Sequence, residues 1–398
     1  AVANILKVMS LHRVSDIYGP LPVLHFGETE NPYNSQEECY MHFFETLDSA
    51  IAVLKDVVEN NPDAKPLEEV DALYHGDYSK WLKLANSVKL RLAMRICYVK
   101  PDLAKQYAME AVRDGVMETA DDSALFQSWG SITVINPLEK IWNGYSDTRM
   151  GASMDSYLNG YNDPRLPVYF QPVTDGDNKG EYRGVANGMP NPQQEDYKAK
   201  SSPNVQEKST DSPLRWMMAS EVAFLRAEGA MRGWTAEMGG TAEEFYNKGI
   251  ELSFLENGLS ADAAARYAAD ETSKRTDFTD VSAAYTKYNI SALGKIAINW
   301  NSGASEEEQL ERIITQKWIA IFPNGTEAWS EFRRTGYPRL FPVRYNYPSS
   351  GVDTNKQIRR MVFPQSEYSN NGAAVQEAVK LLGGPDNGGT KLWWDKKN

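Results

Sequence analysis

Cysteine and histidine are scarce in this sequence. The 398 residues include two cysteines, Cys39 and Cys97, and four histidines. The histidines are His12, His25, His42 and His75. They are not at metal-ligand spacing, and none lies beside a cysteine pair, so a zinc centre and Cys–His catalysis are disfavoured. Both cysteines lie in helical patterns, where a free cysteine behaves as a small buried hydrophobic residue.

Long hydrophobic runs and an excess of positive charge are also missing. No stretch of 18 apolar residues occurs, so no transmembrane helix is expected, and Ala1–Ser10 lacks the layout of a secretory signal. The net charge is -12 and the pI is about 5.0, which excludes a nucleic-acid partner because binding a polyphosphate needs clustered Lys and Arg. The sequence begins inside a helical pattern, so we expect a further segment upstream.

Catalytic and cofactor motifs are absent as well. The sequence has no Gly-x-Gly-x-x-Gly, phosphate-binding loop, Gly-x-Ser-x-Gly or His-Glu-x-x-His motif, so we predict no cofactor, no metal and no catalytic residue. The stretch from Asp175 to Gly180 resembles a calcium loop, but Lys179 and Ala186 stand where oxygen ligands are needed, and we expect a turn there. Glycoside hydrolysis stays open, because its two carboxylates can come from anywhere in a chain.

Helical patterns are strong in several segments. Ser35-Gln-Glu-Glu38 is a capping box that starts a helix ending before Asn60-Asn-Pro62. Residues 78–99 have one apolar face and a polar row formed by Lys83, Ser87, Arg91 and Arg95. Further helices are predicted for residues 101–115, from Ser212-Pro213 to about Gly233, from Thr241 to about Leu255, from Ser305 to about Ile321, and from Thr326 to Arg333. Trp81, Trp216, Trp318 and Trp329 lie in apolar stripes of these helices and are assigned to the core.

These patterns predict a mostly α fold with tetratricopeptide-like helical hairpins, a loop-rich irregular subdomain and little β structure. No clean 34-residue period supports the named repeat itself. We predict one domain over residues 1–398, with a helical scaffold at about 1–115, 212–258 and 305–335. The loop-rich, ligand-binding part is predicted at about 116–211, 261–304 and 336–368, because long loops in a compact protein commonly carry function.

Aromatic residues suggest a binding site in these loops. Sugar rings pack on aromatic planes, and neighbouring amide, carboxylate or guanidinium groups can bind the hydroxyls. The aromatic residues concerned are Trp129, Trp142, Tyr145, Tyr157, Tyr161, Tyr169 and Trp300. The predicted ligand-binding residues are Trp129, Trp142, Asn143, Tyr145, Arg149 and Trp300, with Asp147, Asn299 and Asn301 close by in sequence. The alternative is that these rings only hold irregular loops against the scaffold.

Several segments together resemble the SusD/RagB family of outer-membrane nutrient-binding lipoproteins. They include Tyr18-Gly-Pro-Leu-Pro22, Gly76–Trp81 with Ala85–Arg95, Asn162–Pro167, Ala219–Glu228, Gln316–Trp329 with Phe332–Pro338, Arg360–Pro364, and Trp393-Trp-Asp395. The resemblance implies a lipid-anchored, cell-surface protein that binds glycans or other nutrients without chemistry and sits on a SusC-like TonB-dependent transporter. It carries over no ligand residue, because the matching segments lie mainly in scaffold helices.

The leading hypothesis is therefore a surface glycan- or nutrient-binding subunit of an outer-membrane import complex. Its partners would be an oligosaccharide or another nutrient and the transporter, with the membrane reached only through a lipid anchor that is not in this sequence. Two alternatives stay open: a helical-repeat adaptor that binds only proteins, and a glycoside hydrolase.

Overall fold

The computed structural model describes residues 1–145, 148–189, 194–197, 202 and 212–397. The helices are α1 (Val2–Tyr18), α2 (Gln36–Asn60), α3 (Tyr78–Arg95), α4 (Pro101–Arg113), α5 (Pro137–Glu139), α6 (Ala152–Gly160), α7 (Leu166–Tyr169), α8 (Gln194–Tyr197), α9 (Ala219–Gly229), α10 (Thr235–Met238), α11 (Ala242–Leu255), α12 (Ala261–Ala268), α13 (Glu306–Ala320), α14 (Gly325–Thr335) and α15 (Gln365–Leu382). The strands β1 (Ala124–Phe126) and β2 (Leu214–Met217) pair antiparallel. Across the described ranges, no helix is both long and apolar enough to span a bilayer.

The helices pack as a scaffold of neighbouring pairs. Helices α1 to α4 pack one on the next, α9 packs against α3, α11 and α13, and α11 packs against α12. Local capping fixes several of the starts: Ser35 and Thr241 each form a reciprocal capping box, and Asp77 accepts hydrogen bonds from the first turn of α3. The predicted mostly α, tetratricopeptide-like fold with little β structure is confirmed.

Two large hydrophobic clusters form the core. The first lies among α1 to α4 and α9, and it includes Phe43, Phe44, Leu84 and Val88. The second joins α6, α11, α12 and α13 to α9 and is rich in tyrosine and phenylalanine. A smaller third cluster lies in the loop-rich part around Phe278. Cys39 and Cys97 are buried in the first cluster as free thiols.

The predicted helix start at Ser212-Pro213 is wrong. Residues Leu214–Met217 form β2, and α9 begins only at Ala219. The first amide groups of α9 are capped by side chains from distant segments, because Ala219 N–H donates to Ser123 Oγ at 2.9 Å and Ser220 N–H donates to Glu256 Oε1 at 3.0 Å. Tertiary contacts therefore replace the local Ser-Pro start signal.

Within the described residues, three helices of eight or more residues lie where the sequence analysis expected no helix. Helices α6 and α12 lie inside the predicted loop ranges. Most of α15 lies beyond residue 368, where the last predicted loop range ends. Helix α12 has a local start signal, since Ser260 Oγ accepts a hydrogen bond from Ala263 N–H. Helix α15 buries only Val375 and Ala378, so its apolar stripe is too narrow to stand out in the sequence.

Of the four tryptophans that the sequence analysis assigned to the core, one is fully buried. Trp81 is buried, and its indole N–H donates to Asp71 Oδ2 at 2.7 Å. Trp216, Trp318 and Trp329 are only half-buried. Trp216 stacks on Phe126 across the two-stranded sheet, at 4.7 Å between ring centroids.

The C-terminal end of the polar row of α3 is buried. Arg91 is 3% exposed and Arg95 is 1% exposed. Arg91 makes a two-pronged ion pair with Glu221 of α9, with both N–O distances at 2.7 Å. Arg95 contacts Glu327 at 2.6 Å and Glu331 at 2.7 Å, both on α14. The row points into a polar interior between helices.

These pairs belong to a buried ion network that joins α1, α3, α9, α13 and α14. Lys317 of α13 lies 3.2 Å from Glu331, and Arg334 bridges Glu228 and Glu331 with its guanidinium group. The carboxylates of the network are Asp16, Glu221, Glu228, Glu327 and Glu331, and its basic side chains are Arg91, Arg95, Arg232, Lys317 and Arg334. An unpaired buried charge is very costly, so each side chain depends on its partners in other helices.

The network shifts the pKa values of its carboxyl groups. Burial alone would raise the pKa of Glu228, but Arg334 and Arg232 more than offset it and lower the pKa to about 2. The pKa of Glu327 is also about 2, because the positive charges of Arg95, Arg91 and Lys317 lower it by more than burial raises it. His12 lies beside Arg91, and burial together with that charge lowers its pKa to about 3, so it is neutral.

We expect Lys317→Met to destabilise the protein by about 3–5 kcal/mol, because it leaves buried carboxylates short of one positive charge. The matched control is Lys380→Met on α15, where Lys380 forms a 2.6 Å pair with Glu377 but both side chains are about 70% exposed. That variant should change stability little. Urea unfolding of both variants measures the effect, and equally small changes would contradict a structural role for the network.

Stability should also fall with acid. Glu228 and Glu327 have folded pKa values of about 2, below the ordinary value of 4.5, so their stabilisation is complete above about pH 4.5 and is lost as the pH falls toward 2. His12 adds to the loss below about pH 6.5, since the unfolded chain takes up its proton first. Urea midpoints at pH 7, 5 and 3 should decrease in that order, and a constant midpoint would contradict this assignment.

Candidate functional site

Trp129 lies in a tight hairpin whose backbone pairs Trp129 with Ile132. Its indole N–H donates to the backbone oxygen of Glu68 at 2.5 Å, and its ring lies 3.5 Å from the ring of His75, centroid to centroid. The hairpin is thus held against the loop that precedes α3. Trp129 is still 36% exposed, so part of an immobilised indole faces solvent.

Gly130 allows this hairpin to lie close to its neighbour. Its φ is +57°, which is unfavourable for residues with a Cβ atom, and a Cβ there would lie 2.9 Å from the backbone oxygen of Glu69. The two loops therefore contact through backbone atoms, and this close approach contributes to fixing the orientation of Trp129.

Tyr145 follows a short helical segment just after the hairpin. Asn136 caps α5, and the chain continues as one turn of π-helix over Lys140–Gly144. The Tyr145 ring is 59% exposed, with Lys140 Nζ 5.7 Å from its centroid. An exposed ring beside a cation can contact both the C–H face and the hydroxyls of a sugar.

Three other predicted residues surround Tyr145 in sequence. Trp142 and Asn143 belong to the π-helical turn by their backbone, but their side chains lie outside the described residues, as does all of Asp147. Arg149 is half-buried, and its Nη1 donates to the Thr148 backbone oxygen at 3.0 Å.

Trp300 has different surroundings. Its ring packs on buried Tyr246 of α11, with centroids 5.3 Å apart, and it belongs to the edge of the second hydrophobic cluster. It also lines an open groove of about 950 Å³ between α11 and α12, together with Asn299 and several acidic side chains. Among the described residues, no ring contact or hydrogen bond joins Trp300 to Trp129 or Tyr145. The predicted aromatics thus contact at least two different parts of the scaffold.

The sequence analysis did not select an exposed tyrosine pair in the loop that follows α14. Tyr345 is 47% exposed and Tyr347 is 72% exposed, and their rings meet edge to face at 5.5 Å. Arg344, the residue before Tyr345, lies over the ring of Tyr288. The Tyr288 ring stacks on Tyr285, which in turn stacks on Tyr197. The sequence signal that could have identified this pair is the Tyr345-Asn-Tyr347 alternation within a predicted ligand-binding loop.

Comparison with known proteins decides the family. The sequence model of the SusD-like family, described as Susd and RagB outer membrane lipoprotein, matches residues 1–395. This chain belongs to the SusD-like family. It is accordingly an outer-membrane protein, and the resemblance drawn from its scaffold segments is confirmed. A search of the curated proteins finds no match.

Solved structures of SusD homologues are similar over the whole chain. A chitin-binding SusD homologue from Flavobacterium johnsoniae is 41% identical, with a TM-score of 0.92, and the match covers 100% of this chain and 80% of that one. A SusD-like protein from Bacteroides thetaiotaomicron is also 41% identical, with a TM-score of 0.92 and coverage of 100% and 81%. A homologue from Bacteroides vulgatus is 37% identical, with a TM-score of 0.92 and coverage of 100% and 79%.

The scaffold segments that carried the resemblance coincide with the buried network. Arg91 and Arg95 lie in Ala85–Arg95, Glu221 and Glu228 lie in Ala219–Glu228, and Lys317 and Glu327 lie in Gln316–Trp329. These three family segments of this SusD-like chain therefore contribute buried ion pairs that join the scaffold helices.

Proposed function

We propose that this SusD-like protein binds carbohydrate at the outer membrane and leaves it chemically unchanged. The observation that carries the proposal is the 41% identity, over all of this chain, to a SusD homologue that binds chitin. Chito-oligosaccharides are therefore the first ligands to test. Oligosaccharides incubated with the protein should keep their length, and shortening would instead indicate a glycoside hydrolase.

The binding surface is proposed at the predicted aromatic residues. Trp129 and Tyr145 each offer a partly exposed ring, and the contacts of Trp129 to Glu68 and His75 hold its indole before a ligand arrives. A group that is already immobile loses little entropy on binding. Trp142, Asn143 and Arg149 are assigned to the same ligand-binding set from their positions in the sequence, and Trp300 with its groove is proposed as a second contact region.

The proposal predicts the effect of removing single rings. A stacked ring contributes about 1 kcal/mol, so Trp129→Ala, Trp142→Ala and Trp300→Ala should each weaken binding roughly fivefold in calorimetric titrations with chito-oligosaccharides. Phe26→Ala is the matched control, because Phe26 is an 83% exposed aromatic on the loop between α1 and α2. Unchanged affinity in all three tryptophan variants would remove the proposed surface.

We further propose that the protein works beside a SusC-like TonB-dependent transporter. Its membership in a family of outer-membrane lipoproteins supports this partner. Tagged protein captured from detergent-solubilised outer membranes of its native cells should retain a TonB-dependent transporter that mass spectrometry identifies. An unrelated tagged lipoprotein serves as the control, and capture without any such transporter would contradict the pairing.

A further inference from the structure

A second, smaller cavity lies in the loop-rich part, away from the residues considered above. Its volume is about 400 Å³, which suits one or two sugar rings, and it is lined from three separate segments of the chain. Helix α6 contributes Asp155 and Asn159, the segment that follows residue 180 contributes Tyr182 and Arg183, and the segment after α12 contributes Asp277 and Thr279.

Arg183 holds these three segments together. Its Nη2 donates to the backbone oxygen of Thr279 at 2.7 Å, and its Nε lies 3.8 Å from Asp155 Oδ2. Its Nη1 donates to Glu181 at 3.3 Å. One guanidinium group therefore contacts all three walls, so the cavity is a constructed feature of the fold rather than a gap between independent loops.

The inner wall is equally well fixed. Asp155 is 5% exposed and accepts hydrogen bonds from Gly184 N–H at 2.6 Å and from Asn159 Nδ2 at 2.8 Å. Asn159 also donates to the backbone oxygen of Tyr182 at 2.9 Å. Gly184 permits the close approach, because a Cβ atom there would lie 2.9 Å from Asp155 Cβ. The polar groups are thus positioned before any ligand enters.

The chemistry of the lining points to a polyhydroxylated molecule. Carboxylates and the side-chain oxygen of Asn159 can accept hydrogen bonds, whereas Asn159 Nδ2 already donates within the wall. The Thr279 hydroxyl can donate or accept, and one half-buried tyrosine ring supplies a flat apolar face. Sugar hydroxyls both donate and accept, and sugar C–H faces pack on aromatic rings. Three carboxylates, Asp155, Glu181 and Asp277, face one guanidinium, so an anionic ligand is disfavoured.

We propose that this cavity is a subsite for one uncharged sugar unit, such as an N-acetylhexosamine, and that it selects against uronic acids. The inference rests on the proposed carbohydrate-binding function and adds a ligand class and a location to it. The cavity and the Trp129 surface would then bind different parts of one oligosaccharide or separate chains.

The test uses variants at the edge of the cavity that leave its buried hydrogen bonds intact. Tyr182→Ala removes the ring, and Thr279→Trp fills the space from an exposed position. Thr29→Trp is the matched control, because Thr29 is an exposed threonine on the loop between α1 and α2. Unchanged circular dichroism and urea midpoints establish that each variant is folded.

Calorimetry with chito-oligosaccharides should show affinity about fivefold weaker for Tyr182→Ala and at least about tenfold weaker for Thr279→Trp, with Thr29→Trp unchanged. Oligogalacturonides should bind the wild-type protein at least about tenfold more weakly than chito-oligosaccharides do. Normal binding by both cavity variants, or equal binding of uronates, would overturn the subsite while leaving the proposed function intact. A wild-type protein that binds no oligosaccharide would overturn both.

Discussion

Burying charge between helices is the constraint on which the scaffold depends. Carboxylates from α1, α9 and α14 meet basic side chains from α3, α13 and α14 where no water screens them. Most of these charges pair with charges on other helices, so a helix that shifted by one turn would leave ions unpaired in a medium of low polarity. Hydrophobic packing tolerates small shifts, whereas ion pairs at 2.6–2.7 Å do not. The network therefore contributes uniqueness of packing in addition to whatever stability it adds.

The sequence predicted those parts of the fold that local chemistry decides. Capping boxes at Ser35 and Thr241 located helix starts, because the side chain and the amide it caps are only three residues apart. The start of α9 could not be found this way, since its capping groups, Ser123 and Glu256, come from elsewhere in the chain. Arg91 and Arg95 belong to the polar row of α3, and an amphipathic pattern ordinarily turns such a row toward solvent. That rule fails when partners of opposite charge lie on the next helix.

The candidate binding residues also divide into features that the local sequence indicates and features that only tertiary contacts create. The aromatic content of the loops was the basis for predicting a ligand-binding part, yet it could not separate Trp129, whose ring is held and partly exposed, from Trp300, which packs on Tyr246. The cavity around Asp155 had no sequence signal at all. Its lining residues are ordinary polar side chains up to about 120 positions apart, and tertiary contacts such as those of Arg183 and Asn159 bring them to one place.

The ion network lies among the scaffold helices, and in the described part of the chain none of its members lines the Asp155 cavity or makes a hydrogen bond or ion pair with the Trp129 hairpin. A substitution in either place therefore leaves every buried charge of the network with its partner. The surface chemistry of the loops can change without altering the electrostatic interior that holds the helices in register.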